Sequence, residues 1–415
     1  MAAEQNKPRV AATAGFVSEP SSQNPRFSVV VPYYDGLDHV GGAVHSVLSQ
    51  GRRDVEVIIV DDCDTRATGD ALDAMFASEP QVKVVHRTQN GGTLRARRDG
   101  VLASAGEYVL LLDQDDELAG GALCGIDAEL AASPVDILHF GARVVAETGD
   151  AEAARDGMES FLTPPVRELS GDAILKRQFA FGDGFDWHVH HKAYRGDFAR
   201  ECWGAAADVE LTLSDDLYLS FILASRSKTY RAVGEAWYVY HLGRGETMAG
   251  NYTVEKLARV SRLDSQALAL LRSYVEGVRA SAHRDDWDAR LSDVRDHLIE
   301  HVANEMADCL PFDRRDAALA RIASDWEADS LAGELWRFVR DRAYALFDSR
   351  TYPKKNDVLH NLVAQAEPID ARVEGEGSAR YQAMYEAAHR HLRDLEPLAP
   401  ALTKLGRKLS RRFRG

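Results

Sequence analysis

The sequence is poor in cysteine, and this scarcity excludes several classes of protein. Its 415 residues include four Cys, which lie far apart at Cys63, Cys124, Cys202 and Cys309. No two of them form a Cys-x-x-Cys pair, which argues against a zinc ribbon, a redox motif and a disulfide framework. A reducing, cytoplasmic compartment fits this cysteine usage best.

Long apolar runs and excess basic charge are also missing. The longest apolar runs, such as Val57–Val60 and Tyr108–Leu112, have the length of strands, whereas a membrane-spanning helix needs about 20 apolar residues. The sequence therefore argues against an integral membrane protein.

Lys and Arg total 50 against 65 Asp and Glu, a net charge of −15. Because so acidic a chain is a poor general binder of nucleic acid, no nucleic-acid partner is expected.

The glycine motifs of the common nucleotide-binding folds are absent. The chain has no G-x-x-x-x-G-K-[ST], no G-x-G-x-x-G after its first predicted strand and no G-x-S-x-G. A sugar-phosphate nucleotidyltransferase would need a Gly-rich loop with a Lys after that strand. Tyr33–Leu37 has the sequence YYDGL instead, so this enzyme class is rejected.

Short apolar strands alternate with helical segments in the N-terminal third of the chain. This alternation is typical of βαβ units, and it predicts an α/β fold with a mainly parallel sheet sandwiched by helices. The predicted strands are Phe27–Pro32, Val55–Asp61, Val82–His86, Glu107–Asp113, Asp136–Val144 and Ala236–His241. The predicted helices are 39–50, 65–78, 93–105, Leu169–Phe181 and Leu213–Ala224. A loop is predicted at Ala146–Pro165.

Helical periodicity dominates after residue 253 and predicts a mostly α-helical C-terminal domain. The first residues are Ala-, Ser-, Pro- and Gln-rich and have no apolar core of a signal peptide, which favours a disordered leader. The predicted organisation is a leader at 1–25, an α/β domain at 26–250, a helical domain at 251–397 and a basic amphipathic segment at 398–415.

Acidic residues follow two of the predicted strands. Asp61-Asp62 ends the second strand, and Asp113-Gln114-Asp115-Asp116 ends the fourth. Since the carboxyl ends of parallel strands lie on one side of a sheet, these side chains are expected in one ligand-binding crevice. Asp61 and Asp62 are also suited to cap a helix or form a turn. The second cluster repels itself unless a cation is present, and Mg²⁺ prefers such oxygen ligands.

Five segments together resemble glycosyltransferase family 2, a family of inverting GT-A enzymes that use nucleotide sugars. They occur in the family's order and approximate spacing, over residues 27–120, and a weaker similarity extends over 185–245. The segments are Phe27–Tyr34 (FSVVVPYY), Ser46–Gln50 (SVLSQ), Val57–Asp62 (VIIVDD), Arg95–Gly100 (RARRDG) and Gly106–Asp116 (GEYVLLLDQDD).

The resemblance implies a donor site and a metal site. The donor is expected to be a UDP-sugar, and the metal Mn²⁺ or Mg²⁺ bound at the D-x-D motif against the diphosphate. Donor contacts are implied for Pro32, Tyr33, Asp61, Asp62, Arg97, Asp113 and Gln114. Metal contacts are implied for Asp113, Asp115, Asp116 and His241. His241 is equally open to interpretation as an ordinary histidine at a strand end.

A catalytic base is implied at the start of a predicted helix. Ser214-Asp215-Asp216-Leu217 resembles the family's Glu-Asp motif, whose second residue takes the proton of the acceptor hydroxyl. This resemblance assigns the base to Asp216, with Asp215 beside it. Negative charge is also favourable at a helix N-terminus, so the alternative is that both residues simply stabilise the helix.

The segment around Trp187 is predicted to face the acceptor. His191–Asp197 (HKAYRGD) resembles a family segment, and Trp187 is able to stack on a sugar. Trp187, His191 and Lys192 are therefore candidate acceptor contacts, with a packed core as the alternative. The spacing of His188, His190 and His191 is not that of a common zinc site.

The end of the sequence combines basic and apolar periodicity. A basic amphipathic helix at 398–415 could lie on an anionic membrane, so a peripheral location on the cytoplasmic face is one expectation. A solvated tail is the alternative. The function predicted from the sequence is transfer of a sugar to a hydroxyl of a glycan or lipid-linked acceptor. The competing prediction is a catalytically degenerate scaffold or glycan-binding protein.

Overall fold

The computed structural model describes residues 24–63, 69–244, 252–280 and 284–399. The described residues divide into two compact units. One lies within Met1–Gly250 plus Gln266–Asp293, and the other within Asn251–Ser265 plus Val294–Gly415. Most of the predicted leader and basic segment lies outside the described residues.

A nine-stranded sheet forms the centre of the first unit. The strands are β1 Phe27–Tyr33, β2 Val55–Asp61, β3 Val82–His86, β4 Tyr108–Leu111, β5 Glu117–Leu118, β6 Ile137–Ala146, β7 Arg167–Ser170, β8 Lys192–Arg195 and β9 Thr229–Leu242. Their order in the sheet is β3-β2-β1-β4-β8-β6-β9-β5, and β7 also pairs with β9.

The sheet has a parallel half and a mixed half. Strands β3, β2, β1 and β4 are all parallel, and the apolar residues of β1 and β2 are buried on both faces, as is usual for a parallel sheet between helices. Strand β8 is antiparallel to both neighbours, whereas β6 and β9 pair in parallel. The α/β prediction is confirmed, with antiparallel pairs added in the second half.

Eight helices of the first unit connect or cover these strands. They are α1 Leu37–Leu48, α2 Gly69–Phe76, α3 Thr93–Ala103, α4 Ala122–Ala132, α5 Gly149–Phe161, α6 Asp172–Gln178, α7 Gly196–Ala205 and α8 Asp215–Arg226. The end of β2, the loop after β4 and the first turn of α8 carry the acidic side chains that matter below.

Two predictions for the middle of the chain were wrong. The sequence predicts a loop at Ala146–Pro165, but this range contains the whole of helix α5, whose N-cap Thr148 accepts a hydrogen bond from the Ala151 N–H at 3.2 Å. Leu169–Phe181 was predicted as one helix, but its first residues finish strand β7 before α6 begins. Pairing of β7 with β9 overrides the local helical pattern there.

The second unit is helical. Two helices, α9 Val254–Val278 and α10 Trp287–Cys309, pass through the boundary between the units. They are followed by α11 Phe312–Ile322, α12 Ala328–Asp348, α13 Val358–Asp370, α14 Ala379–Asp394 and a 3₁₀ turn at Glu396–Leu398. Among the described residues, no helix combines the length and apolarity needed to cross a bilayer.

The contact between α3 and the parallel strands depends on the absence of a side chain at Gly100. A Cβ there would overlap the Val30 side chain and lie 2.9 Å from Val60 Cγ2. We therefore expect Gly100→Ala to lower the free energy of unfolding by about 1–3 kcal/mol, the usual cost of overpacking. Urea unfolding would measure this. The control is Gly120→Ala, because a Cβ at Gly120 meets no atom within 4 Å. Equal unfolding midpoints for the two variants would contradict the packing argument.

Candidate functional site

One buried arginine joins three carboxylates from different parts of the sequence. Arg97 on α3 donates from Nη2 to Asp113 Oδ1 at 2.8 Å. Its Nη1 donates to Asp215 Oδ2 at 2.9 Å and to Asp216 Oδ1 at 2.6 Å. Asp113 follows β4, and the other two acids begin α8. The structure therefore brings the D-x-D motif and the predicted base to one guanidinium.

Burial and charge oppose each other within this cluster. Arg97 is 3% exposed; burial alone lowers its pKa, but the charges of Asp216, Asp113 and Asp215 raise it well above its usual value. Burial raises the pKa of Asp215. The Asp216 side chain is 21% exposed and that of Asp215 only 7%. Asp216 is thus the better placed of the pair to reach an acceptor.

The backbone before α8 has an uncommon conformation. Leu213 and Ser214 both have positive φ angles, 66° and 54°, in the left-handed region that L-residues seldom adopt. This turn places Asp215 and Asp216 in the first helical turn, where the helix dipole also favours negative charge. The helix-stabilising role and the contact with Arg97 therefore coexist. Such strain is frequently found at functional sites.

The other acids of the D-x-D segment differ in their surroundings. Both oxygens of Asp116 accept protein hydrogen bonds, from Tyr238 Oη at 2.8 Å and from the His241 backbone N–H at 2.8 Å. Burial, and then the charges of Asp113 and Asp115, raise the Asp116 pKa well above its usual value. Asp115 is half-buried, and its pKa is raised by burial and then by Asp113. Asp115 therefore has the freer carboxylate.

His241 lies between two glutamates, with Nδ1 next to Glu147 and Nε2 3.7 Å from Glu117 Oε1. Its Nδ1 lies 2.6 Å from Glu147 Oε1, which fixes the ring as a carboxylate does for many metal-bound histidines. Its Nε2 is buried and makes no hydrogen bond among the described residues. Asp113, Asp115 and His241 offer ligand types that suit Mn²⁺ or Mg²⁺. Their ligand atoms are not gathered within 4.8 Å in the described part of the chain.

The two acids at the end of β2 have separate partners. Asp61 Oδ2 contacts His86 Nδ1 at 2.9 Å. Asp62 accepts the backbone N–H groups of Gly91 and Gly92, at 2.9 and 2.8 Å, just before α3 begins. Asp62 therefore fixes the start of α3, much as a capping residue does, and both of its oxygens are engaged.

The remaining donor-site candidates lie at the ends of β1 and β4. Pro32 is half-buried, whereas the Tyr33 ring is 1% exposed and belongs to the hydrophobic core. The Gln114 amide accepts the Tyr34 N–H at 2.9 Å and donates to the Tyr34 carbonyl at 2.8 Å. Gln114 thus ties the two strand-end loops together.

Residues 28–200 match the family profile "Glycosyl transferase family 2". The chain contains a glycosyl transferase family 2 domain.

Relatives and solved structures agree with this family 2 domain. Glycosyltransferase GlyG of Streptococcus pneumoniae is 35% identical over 89 residues, 21% of this chain and 30% of GlyG. Succinoglycan biosynthesis protein ExoO of Rhizobium meliloti is 24% identical over 262 residues, 60% of this chain and 69% of ExoO. The chain thus spans about a third of GlyG.

The fold is of the GT-A type. A crystal structure of S. aureus TarS 1–349 in complex with UDP-GlcNAc has a TM-score of 0.51 to this chain, with 18% sequence identity. The likeness covers 88% of this chain and 92% of the TarS chain. At this level of identity it establishes the fold.

The family 2 domain also buries two residues that were predicted to face the acceptor. His191 and Lys192 are 1% and 3% exposed, and both contact Asp186, through His191 Nε2 at 3.1 Å and Lys192 Nζ at 3.2 Å. Neither side chain lies on a surface where an acceptor could bind. Trp187 is half-buried, and its ring stacks on Phe179 at 6.3 Å between ring centroids.

His139, Asp186 and His191 form the one set of candidate metal ligands within 4.8 Å among the described residues. The sequence pattern missed it because His139, on β6, is far from the other two in the chain. The Lys192 ammonium already balances the buried Asp186 charge. Burial lowers the pKa values of His190 and His191 well below the usual value, so both rings are neutral. Asp186 therefore has the His191 ring and the Lys192 ammonium as hydrogen-bond partners without a metal, whereas His139 Nε2, 2.9 Å from Asp186 Oδ2, makes no hydrogen bond among the described residues.

Lys192 provides a test of this interpretation. We expect Lys192→Met to lower the free energy of unfolding by about 3–5 kcal/mol, because it leaves the buried Asp186 carboxylate without its cation. Thermal or urea unfolding would measure the loss. Lys176→Met, at an exposed position on α6, is the control and should be nearly neutral. Unchanged stability of Lys192→Met would show that the ion pair is not structural.

Proposed function

We propose that the protein transfers a sugar from a nucleotide-sugar donor to a hydroxyl group of a glycan or lipid-linked acceptor. The observation that carries the proposal is the contact of Arg97 with both Asp113 and Asp216. This contact brings a D-x-D carboxylate close to the proposed base, whose side chain is 21% exposed. The D-x-D motif follows β4, and ligands of such sheets bind at the carboxyl ends of the strands.

The proposed donor is a UDP-sugar bound with Mn²⁺ or Mg²⁺. Asp113 and Asp115 would hold the cation, with His241 Nε2 as a further ligand. The cation would stabilise the charge that develops on the nucleoside diphosphate as it leaves. UDP-GlcNAc is the ligand in the TarS complex of similar fold, which supports UDP as the first nucleotide to test.

Asp216 is proposed to act as the general base. The acceptor oxygen forms a bond to the anomeric carbon while the bond from that carbon to the diphosphate oxygen breaks. The hydroxyl proton passes to the Asp216 carboxylate, and the electron pair leaves with the nucleoside diphosphate. Attack from the face opposite the leaving group inverts the anomeric configuration. Arg97 holds Asp216 at the start of α8 during this step.

The acceptor class is proposed from the relatives. ExoO is named for succinoglycan biosynthesis. A poly(ribitol-phosphate) β-glucosyltransferase of Bacillus spizizenii is 34% identical over 101 residues, 24% of this chain and 16% of the enzyme. Both names concern polymers of the cell surface. A lipid-linked acceptor also agrees with the predicted membrane contact of segment 398–415, which lies almost entirely outside the described residues.

Nucleotide binding can be tested without knowing the acceptor. We expect UDP with Mn²⁺ to raise the unfolding temperature, and EDTA to abolish the increase, because the cation joins the diphosphate to Asp113 and Asp115. At about 100 times its dissociation constant, a ligand adds roughly 2.7 kcal/mol to stability. Thermal unfolding with UDP, GDP, CDP and dTDP would identify the donor class. A folded protein that responds to none of these nucleotides would favour a degenerate scaffold.

The base assignment is tested by Asp216→Asn. Loss of a general base should reduce transfer by about 10²–10⁴-fold, while stabilisation by UDP and Mn²⁺ should persist. Radiolabelled-sugar transfer to a membrane or glycan extract would measure the rate. The control is Asp197→Asn, which removes an exposed acid from the first turn of α7. Transfer at the normal rate by Asp216→Asn would refute the assignment.

A further inference from the structure

Arg97 occupies the position of a counter-ion between the proposed metal motif and the proposed base. We propose that Arg97 neutralises Asp113 in the ligand-free protein, releases it to the divalent cation, and keeps Asp215 and Asp216 in place before and after the exchange. Arg97 is then a positioning residue that couples cation binding to the base. The inference rests on the proposed function of the site.

The two ends of the guanidinium make separable contacts. Nη2 donates to Asp113, whereas Nη1 donates to Asp215 and Asp216. Loss of the bond to Asp113 therefore leaves the contacts to α8 unbroken. A lysine ammonium has no such fixed fork, which is why the two side chains are not equivalent at a site like this.

Exposure indicates which partner moves. The Arg97 side chain is 4% exposed and that of Asp113 is 24% exposed. Arg97 lies on α3, whose first turn is anchored by the bonds from Gly91 and Gly92 to Asp62. Asp113 lies on a loop after β4. The carboxylate is thus free to turn from a fixed guanidinium towards a cation on its solvent side.

The metal ligands also indicate an exchange. Asp113, Asp115 and His241 Nε2 are not gathered within 4.8 Å. The Asp113 carboxylate is held by Arg97, and His241 Nε2 lies 3.7 Å from Glu117 Oε1. A dication and the guanidinium carry the same sign of charge and require the same Asp113 carboxylate. They therefore compete for it, and binding of one weakens binding of the other.

The competition is measurable as Mn²⁺ affinity in the absence of nucleotide. We expect Arg97→Gln to bind Mn²⁺ at least about tenfold more tightly than the unmodified protein, a change equivalent to about 1.4 kcal/mol. Isothermal titration or the Mn²⁺ electron paramagnetic resonance signal would give both dissociation constants. Arg244→Gln is the matched control, because Arg244 contacts the Asp115 carbonyl and Glu147, whereas the described contacts of Asp113 include Arg97 and Tyr238. Unchanged or weaker Mn²⁺ binding by Arg97→Gln would overturn the inference, as would an equal gain in Arg244→Gln.

Kinetics separate this role from a purely structural one. Arg97→Gln should lower kcat by more than tenfold with little change in the donor KM, because Asp216 loses its support. Arg97→Lys should recover part of kcat. If circular dichroism shows that Arg97→Gln does not fold, Arg97→Lys is used in its place. Tighter Mn²⁺ binding by Arg97→Lys than by the unmodified protein would then support the competition, and unchanged binding would overturn it. A protein that shows the Mn²⁺ effect but transfers no sugar would refute the proposed function and leave this inference standing.

Discussion

Repulsion among carboxylates is the constraint around which the candidate site is built. Asp113, Asp115, Asp116, Asp215 and Asp216 all lie at one edge of the sheet, and a cluster of this charge is stable only if each member has a compensating partner. The five carboxylates are accommodated in three different ways. Asp116 accepts two hydrogen bonds from β9, Asp113, Asp215 and Asp216 share Arg97, and burial raises the pKa of Asp115.

A second buried charge shows a different solution in the same domain. Asp186 lies beside the buried side chains of His139, His191 and Lys192, and beside His188, whose side chain is 28% exposed. Burial, the first factor, raises the pKa of Asp186, but His191, Lys192 and His139 lower it well below its usual value. Here the charges are balanced within the protein. At Arg97 one cation serves three carboxylates, so the local charge is negative and an added cation is attracted. This difference separates a structural network from a ligand site.

The sequence predicted the parallel half of the fold well because its strands are buried on both faces. Continuous apolar runs such as those of β1 and β2 have few alternative interpretations. The α5 helix was missed because Gly, Pro, Glu and Thr in Ala146–Pro165 favour a loop locally, and β7 was missed because strand pairing decided its conformation. Within the site, residue types and spacing indicated the acidic cluster around Asp113, and the family resemblance indicated Asp216 and Arg97. That Arg97 joins the other two depends on the approach of α3 and α8, and no pattern along the chain encodes that approach.

The same reasoning explains why α3 has a central position. Its first residues are held by Asp62 at the end of β2, and its Gly100 packs without a side chain against β1 and β2. Between these two fixed points, Arg97 extends to the loop after β4 and to the start of α8. A helix anchored in this way holds a guanidinium at one position, so the carboxylates must adjust to it. Arg97 therefore contacts Asp113 on the proposed donor side and Asp216 on the proposed acceptor side from one fixed position. Such a shared contact is what coupling of cation binding to the position of the base requires.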